Sequence, residues 1–243
     1  MRDAVVLPLK DGLSIVITSD NSGGIGMKEK DAVKVPYEVT GYFLFRVAVM
    51  ECIAAGAEPV SAVIQNFCGD EAWDGIMKGV RKGLSEIHME QLPVTGSTES
   101  NFPLSQSAIG INVIGLRHGE TEDLSSRDKV SVGLVGLPLL GDEVVLQPEN
   151  VAPLSLFRRL SAIRGAVLWP VGSKGVLHEL KRMIRELNLP VHDGSFPGKS
   201  VLPDGVDGHK SGGPGTCFLI AYLPEREESI LEMCGSHFRK CLF

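Results

Sequence analysis

Between Pro36 and Ala57 the apolar residues Val39, Phe43, Val47, Met50 and Ala54 recur every three or four positions, the period of one face of an α-helix. Pro36 stands where a helix start tolerates a missing N–H, and Gly56 with Pro59 close the run. Runs rich in β-branched residues flank this helix. Residues 4–9 and 13–18, parted by Lys10-Asp11-Gly12, read as two strands of a hairpin, and residues 60–67 read as a strand after the helix. Residues 71–87 form a second amphipathic helix, 92–95 a short strand and 108–116 a β-branched strand. The order is ββαβαββ, which excludes an all-α or all-β chain.

Residues 117–129 are polar and charged, the sharpest shift in composition, and put a domain boundary near 126. The expectation is an N-terminal domain over 1–126 and a C-terminal α/β domain over 127–243. The second domain reads as a strand at 130–135, a helix at 155–163, a strand at 166–171, a helix at 173–187 and a strand at 217–223. Residues 192–216, glycine-rich and poor in hydrophobics, have the length of a functional loop.

With 43% hydrophobic and 22% charged residues and a net charge of -6, the 243-residue chain is ordinary globular material, and a broad nucleic-acid interface is disfavoured. Five cysteines without a Cys-x-x-Cys pair argue against a structural zinc site and a disulfide framework. No apolar run approaches the roughly 20 residues of a membrane span. The start, Met-Arg-Asp and a short apolar run to Pro8, lacks the pattern of a signal peptide, so the chain reads as cytoplasmic.

Three features carry chemistry. The loop Ser22-Gly-Gly-Ile-Gly-Met-Lys28 follows a strand that ends near Asp20, and glycine backbone can turn N–H groups onto a phosphate; an ordinary turn is the alternative. It is neither a Walker loop nor a dinucleotide fingerprint, and Gly205-Val-Asp-Gly-His-Lys-Ser only approaches the former, with His209 interposed. Asp3 precedes the first strand and Asp20 ends the second, near opposite ends of one strand pair, where paired carboxylates suit Mg²⁺. Glu51 sits inside the apolar helix, where a carboxylate is costly unless paired; the alternative is an exposed face.

Asp20-Asn-Ser-Gly-Gly-Ile-Gly-Met-Lys28, then Val49-Met-Glu-Cys-Ile-Ala-Ala-Gly-Ala-Glu-Pro59, then Val94-Thr-Gly-Ser-Thr-Glu99 resemble, in order, the landmarks of the aminoimidazole ribonucleotide synthetase superfamily, which includes thiamine-monophosphate kinase and selenophosphate synthetase. Gly141-Asp142-Glu143-Val144 and Val171-Gly-Ser-Lys-Gly-Val-Leu-His-Glu-Leu180 are consistent with its second half. The resemblance implies a two-domain α/β fold, a homodimer joined through the N-terminal domains, and ATP bound with Mg²⁺. It implies metal ligation by Asp3, Asp20, Glu51 and Glu99, and nucleotide contact by Gly23, Gly24, Gly26, Lys28, Gly96, Ser97 and Thr98. Asp20 and Lys28 take the catalytic roles.

The departures are Arg2 for one acid of a pair, Met50 for an Asn, Thr98 for an acid and Lys174 for an Asp, and the chain starts at the family's first strand. The function implied is a Mg-ATP-dependent phosphotransferase acting on a small molecule, with the short α-ribazole kinases of cobalamin lower-ligand salvage nearest in size. The alternatives are an ATP-dependent cyclo-ligase, favoured by Gly26-Met27-Lys28, and a catalytically weak nucleotide-binding regulator, favoured by Met50 and Thr98. No membrane or nucleic-acid partner is expected. The loop 205–215 is either a mobile lid with His209 and Lys210 facing an anion or a solvated loop.

Overall fold

The computed structural model describes residues 3–119, 124–127, 129–189 and 201–241; Arg2 and the stretch 192–200 fall outside them. The chain divides into two compact units, residues 1–120 and 121–243, against the boundary expected near 126.

In the first unit, strands β1 (Ala4–Pro8), β2 (Leu13–Gly23), β5 (Glu58–Asn66), β6 (Val94–Thr98) and β7 (Ala108–His118) form a sheet in the order β1-β2-β7-β5-β6. A two-stranded ribbon of β3 (Ile25–Gly26) and β4 (Val33–Lys34) lies between β2 and α1 (Tyr37–Ala54) in the chain. Within the five-stranded sheet all pairs are antiparallel except β5 with β6, and the β3–β4 ribbon is parallel. Because β2 and β5 both run against β7, they run parallel to each other, and the chain reaches β5 through α1 and β6 through α2 (Trp73–Glu86). Parallel crossovers are right-handed and both step the same way across the sheet, so both helices fall on one face. The other face carries no helix of this unit.

The apolar helix of residues 36–57 exists, with Pro36 at its N-cap and the chain turning away through Gly56 at φ +76°. Its core stripe differs from the expected one. Leu44, Phe45, Ala48, Val49 and Cys52 are buried together with Met50, whereas Val39, Phe43, Val47 and Ala54 are half-buried. The helix packs on the sheet and on α2 and is apolar on nearly all sides, so its hydrophobic period could not single out one face. Each large side chain so buried contributes about 1.5–3 kcal/mol.

The second unit is an antiparallel sheet in the order β11-β8-β10-β9, from β8 (Ser131–Val135), β9 (Ala166–Pro170), β10 (Phe218–Tyr222) and β11 (Phe238–Lys240). Every residue of β10 is buried. Leu219 and Ala221 join Leu177, Leu180 and Met183 of α5 (Val176–Glu186), while the Phe218 ring meets Phe157 of α4 (Leu154–Leu160) edge to face at 4.8 Å. A strand covered on both faces reads as a continuous apolar run, as this one does. The short α3 (Glu143–Leu146), α6 (Glu227–Cys234) and edge strand β11 have no counterpart among the elements expected from sequence. All five cysteines are free and buried, and burial pushes the thiols of Cys52 and Cys241 up to about 12.

Candidate functional site

The glycine loop is built around a buried carboxylate that sequence reading missed. Asp31 Oδ1 accepts the Ser107 N–H at 2.6 Å, and its Oδ2 accepts the Ser107 hydroxyl at 2.6 Å and the Lys28 N–H at 2.8 Å. Burial pushes the Asp31 pKa up, but these hydrogen bonds, those from Ser107 first, outweigh it and hold the carboxyl below its ordinary value. Ser107 Oγ also meets the Tyr37 hydroxyl at 3.0 Å. The one available signal was an Asp three residues after Lys28, the spacing of a side chain that folds a turn back on its own backbone. In the run Lys28-Glu-Lys-Asp31 it looks like a solvated loop.

This frame changes the roles expected of the glycines. Gly23 is the last residue of β2, opposite Ala108, and the Gly24 N–H donates to the Ser107 carbonyl at 2.7 Å. That N–H is therefore committed within the fold. At Gly26 a Cβ would lie 2.5 Å from Ser107 Oγ and 2.7 Å from the Tyr37 ring, so glycine is required by packing. Lys28 Nζ donates to the Leu104 carbonyl at 2.9 Å and the Phe67 carbonyl at 3.4 Å. Lys34 Nζ likewise donates to the carbonyls of Lys28 and Glu29.

Asp20 lies inside β2, opposite Ile111, because β7 continues to offer pairing as far as Ala108. Alternation puts it on the face of Val16 and Thr18, under α1. Half-buried there, its pKa is raised by burial from 3.8 to about 6, opposed in part by a hydrogen bond from the Asn21 backbone. Ala4 pairs with Thr18, so Asp3 and Asp20 share one end of the β1–β2 pair, not opposite ends. In an antiparallel hairpin the start of one strand neighbours the finish of the next.

Glu51 is 8% exposed on α1 and does not join Asp20. The Thr18 hydroxyl donates to the Ala48 carbonyl at 2.7 Å, and a Cβ at Gly115, opposite Val16, would lie 2.5 Å from Cys52 Sγ. Strand and helix thus run against each other. Asp20 is two strand residues beyond Thr18 in one direction and Glu51 three helix residues beyond Ala48 in the other, a divergence of about 11 Å. Glu99 is engaged elsewhere, its Oε1 accepting the N–H groups of Asn101 at 2.7 Å and Phe102 at 3.1 Å. The expected set Asp3, Asp20, Glu51 and Glu99 is therefore dispersed. Among the described residues no three His, Cys, Asp or Glu side chains form a group able to hold a metal ion.

At the end of β6, Thr98 Oγ1 accepts a hydrogen bond from Asn66 Nδ2 at 3.1 Å, and Ser97 is exposed opposite Gln65. A Cβ at Gly96 would stand 2.8 Å from the Trp73 ring, so its small size serves packing. Asn66, buried and also holding the Cys68 N–H through Oδ1 at 2.9 Å, is a second organiser that sequence reading missed. Mg²⁺ keeps several waters and is commonly held by one or two carboxylates together with phosphate oxygens. Asp20, a desolvated carboxylate, fits that mode of binding as a single ligand, whereas Asp3, two residues before Val5, continues the row of the helix-free face. A protein-built cage does not fit the described residues.

The glycine loop of the second unit is tied by its backbone to α5 and to the turn before it. The Gly208 carbonyl accepts the Leu177 N–H at 2.9 Å, and the Gly212 N–H donates to the Gly172 carbonyl at 3.0 Å. Lys210 Nζ, expected to face an anion, is paired with Glu143 at 2.7 Å. Lys174 is exposed on the turn before α5.

Two helix-covered sheets make this a mixed α/β protein. No helix among the described residues is long and apolar enough to cross a membrane. Residues 1–137 match the family model described as AIR synthase related protein, N-terminal domain, and the chain belongs to that family. No curated protein matches it in sequence. Among solved structures, hydrogenase maturation protein HypE superposes with a TM-score of 0.62 at 16% identity over 99% of this chain and 82% of that one. Thiamine-monophosphate kinase from Stenotrophomonas maltophilia gives 0.61 at 15%, over 99% and 87%. T. maritima PurL complexed with ATP gives 0.58 at 15%, over 99% of this chain; the chain spans 42% of the PurL chain. At such identities the likeness is one of fold.

Proposed function

We propose that this chain binds Mg-ATP through its first unit and transfers a phosphoryl group to a small molecule. The observation that carries the reading is Asp20. Its carboxylate is desolvated inside a strand, and its ionised form is under-compensated by the fold. A cation supplies the missing charge. Asp20 would hold Mg²⁺ together with phosphate oxygens and water, and the ion when bound would neutralise charge on the transferring phosphate. Asp31 fixes the backbone of Lys28, whose ammonium rests on uncharged carbonyls and can turn to an anion. The family and the fold shared with an ATP complex of PurL and with a kinase support this reading. The finer assignment, an α-ribazole kinase, rests on compact length, the kinase-like features of the N-terminal half and the unfamiliar loop over residues 192–216.

A second reading, a nucleotide-binding regulator of weak catalysis, is favoured by the dispersal of the carboxylates. Isothermal titration with Mg-ATP, followed by single-turnover ADP release over a nucleoside panel, decides between them. Binding with transfer supports the kinase, binding without transfer the regulator, and no binding removes both. The Asp20→Asn variant is expected to lose at least about tenfold in Mg-ATP affinity while melting no lower than wild type, since it removes a charge that the fold leaves under-compensated. Mg-ATP affinity should also fall as pH drops below about 6, where Asp20 takes up the proton that competes with the cation.

The homodimer belongs to the same proposal. Alternation sets Val5, Ile17 and Ile114 in one row of the helix-free face and Leu7, Ile15 and Leu116 in the next, with Val5 and Leu7 exposed. Aliphatic rows of this kind call for a cover, and a second copy supplies one. Sedimentation should give a dimer at micromolar concentration; a monomer would refute the pairing.

A further inference from the structure

The helix-free face of the first sheet changes character along its strands. The aliphatic rows of Val5, Ile17 and Ile114 and of Leu7, Ile15 and Leu116 occupy one half of it, and the register sets three further rows in the other half. Ser19 stands beside Asn112, Val63 and Thr95, and Asn21 beside Gly110, Gln65 and Ser97. The last row is Gly23, Ala108 and Phe67, because the Phe67 N–H still donates to the Ala108 carbonyl at 3.0 Å. Residues opposite one another on paired strands share a face, so these side chains form one surface.

Gly23, Ala108 and Gly110 keep the floor of that surface low, and the Phe67 ring, 42% exposed, stands beside it as a wall. A Cβ at Gly110 would lie 2.8 Å from Gln65 Oε1, so the Gln65 amide lies across that glycine. Among the described residues, no hydrogen bond to another residue ties down the side chains of Ser19, Asn21, Asn112 and Ser97. Their donors and acceptors remain for a ligand. No lysine or arginine stands in the three rows, and Asp3 flanks Ser19 at the β1 end.

We propose that these rows bind a small uncharged sugar, its C–H face against the Phe67 ring and its hydroxyls on Asn21, Gln65, Asn112, Ser19 and Ser97. Sugar hydroxyls both donate and accept, as amide and hydroxyl side chains do, and the negative face of an aromatic ring attracts polarised C–H groups. An anion only accepts; it would meet no cation in these rows and would be repelled by Asp3. With strands about 4.8 Å apart and rows about 6.8 Å apart, the Phe67 ring and the Gln65 and Asn21 amides lie within reach of one sugar ring and its hydroxyls. Asp20 alternates onto the opposite face, so the proposal does not require that ATP bind.

The probes are D-ribose, D-glucose, D-galactose, maltose and myo-inositol, with ribose 5-phosphate and glucose 6-phosphate as charged counterparts, followed by saturation-transfer NMR on the full chain free of nucleotide. At least one neutral probe should saturate with a Kd in the low-millimolar range or tighter, and both phosphate esters should bind at least about tenfold more weakly than it does. Phe67→Ser, at an exposed position that leaves the melting temperature unchanged, should weaken the neutral probe about tenfold. Asn21→Ala and Ser97→Ala, also at exposed positions, should each weaken it about threefold. Leu7→Ser, in the aliphatic half, should leave it within about twofold. No saturable neutral probe, wild-type affinity in Phe67→Ser and Asn21→Ala, a loss in Leu7→Ser as large as in Phe67→Ser, or esters bound as tightly as the neutral probe would each overturn the proposal.

Discussion

Two glycine-rich loops, each with a lysine, stand one in each unit of this chain, and their lysines end in opposite electrostatic states. Around residues 22–28 the loop is organised by the buried carboxylate of Asp31, and the Lys28 ammonium rests on carbonyl oxygens. Around 205–215 the loop is organised by the Thr216 hydroxyl, which accepts the Leu139 N–H at 3.0 Å and shares its proton between the carbonyls of Leu137 and Gly212; Lys210 is paired with the Glu143 carboxylate. A lysine on carbonyls keeps its net charge for a ligand. One on a carboxylate does not. Glycine content with a nearby lysine therefore does not by itself define an anion site, and what decides is which acceptors the fold puts around the ammonium.

The strongest way to break this contrast is to remove its organiser in the first unit. Asp31→Ala strands the N–H groups of Lys28 and Ser107 and the Ser107 hydroxyl, and should cost about 3 kcal/mol in denaturant unfolding. A loss under about 1 kcal/mol would mean that the loop does not depend on the carboxylate. Since the folded-state pKa of Asp31 is lowered, its contribution is present above the ordinary value near 3.8 and is lost as pH falls below it. Thr216→Val is the matching test in the second unit. It removes a buried neutral hydroxyl and should cost about 2 kcal/mol, less than Asp31→Ala because no charge is involved. The smallest effect belongs to Lys210→Met. The pair with Glu143 is only half-buried, so the melting temperature should move by no more than about 2 °C, and a larger drop would show that the pair rather than Thr216 holds the loop.

Asp20 tests legibility from another side. It was visible in sequence as an acid near a strand end, but not that β2 would run on to Gly23 and desolvate it. Strand length there depends on β7, whose residues lie some ninety positions later in the chain, and local composition carries no record of that partner. Glu51 was legible as an acid in an apolar helix, and its burial agrees with that; its distance from Asp20 follows from the direction in which α1 crosses β2. Asp31 and Ser107, which do most to shape the loop, are 76 residues apart and drew no notice. The Gly23, Gly24, Gly26 and Gly96 positions were expected from resemblance to meet a nucleotide. In the fold Gly24 has its N–H bound by Ser107, and Gly26 and Gly96 make room for neighbouring side chains.

Apart from the short β3–β4 ribbon, the order of strands and helices in the first unit, the burial of the helix from Tyr37 to Ala54 and the family to which the chain belongs follow from local pattern, because hydrophobic period, turn residues and motif order are properties of neighbouring residues. Tertiary structure alone decided which carboxylates stand together, which N–H groups remain for a ligand and which lysine keeps its charge. Each of these is a relation between residues brought close by pairing of distant strands, and electrostatic and hydrogen-bond energies depend on that distance and burial rather than on sequence separation.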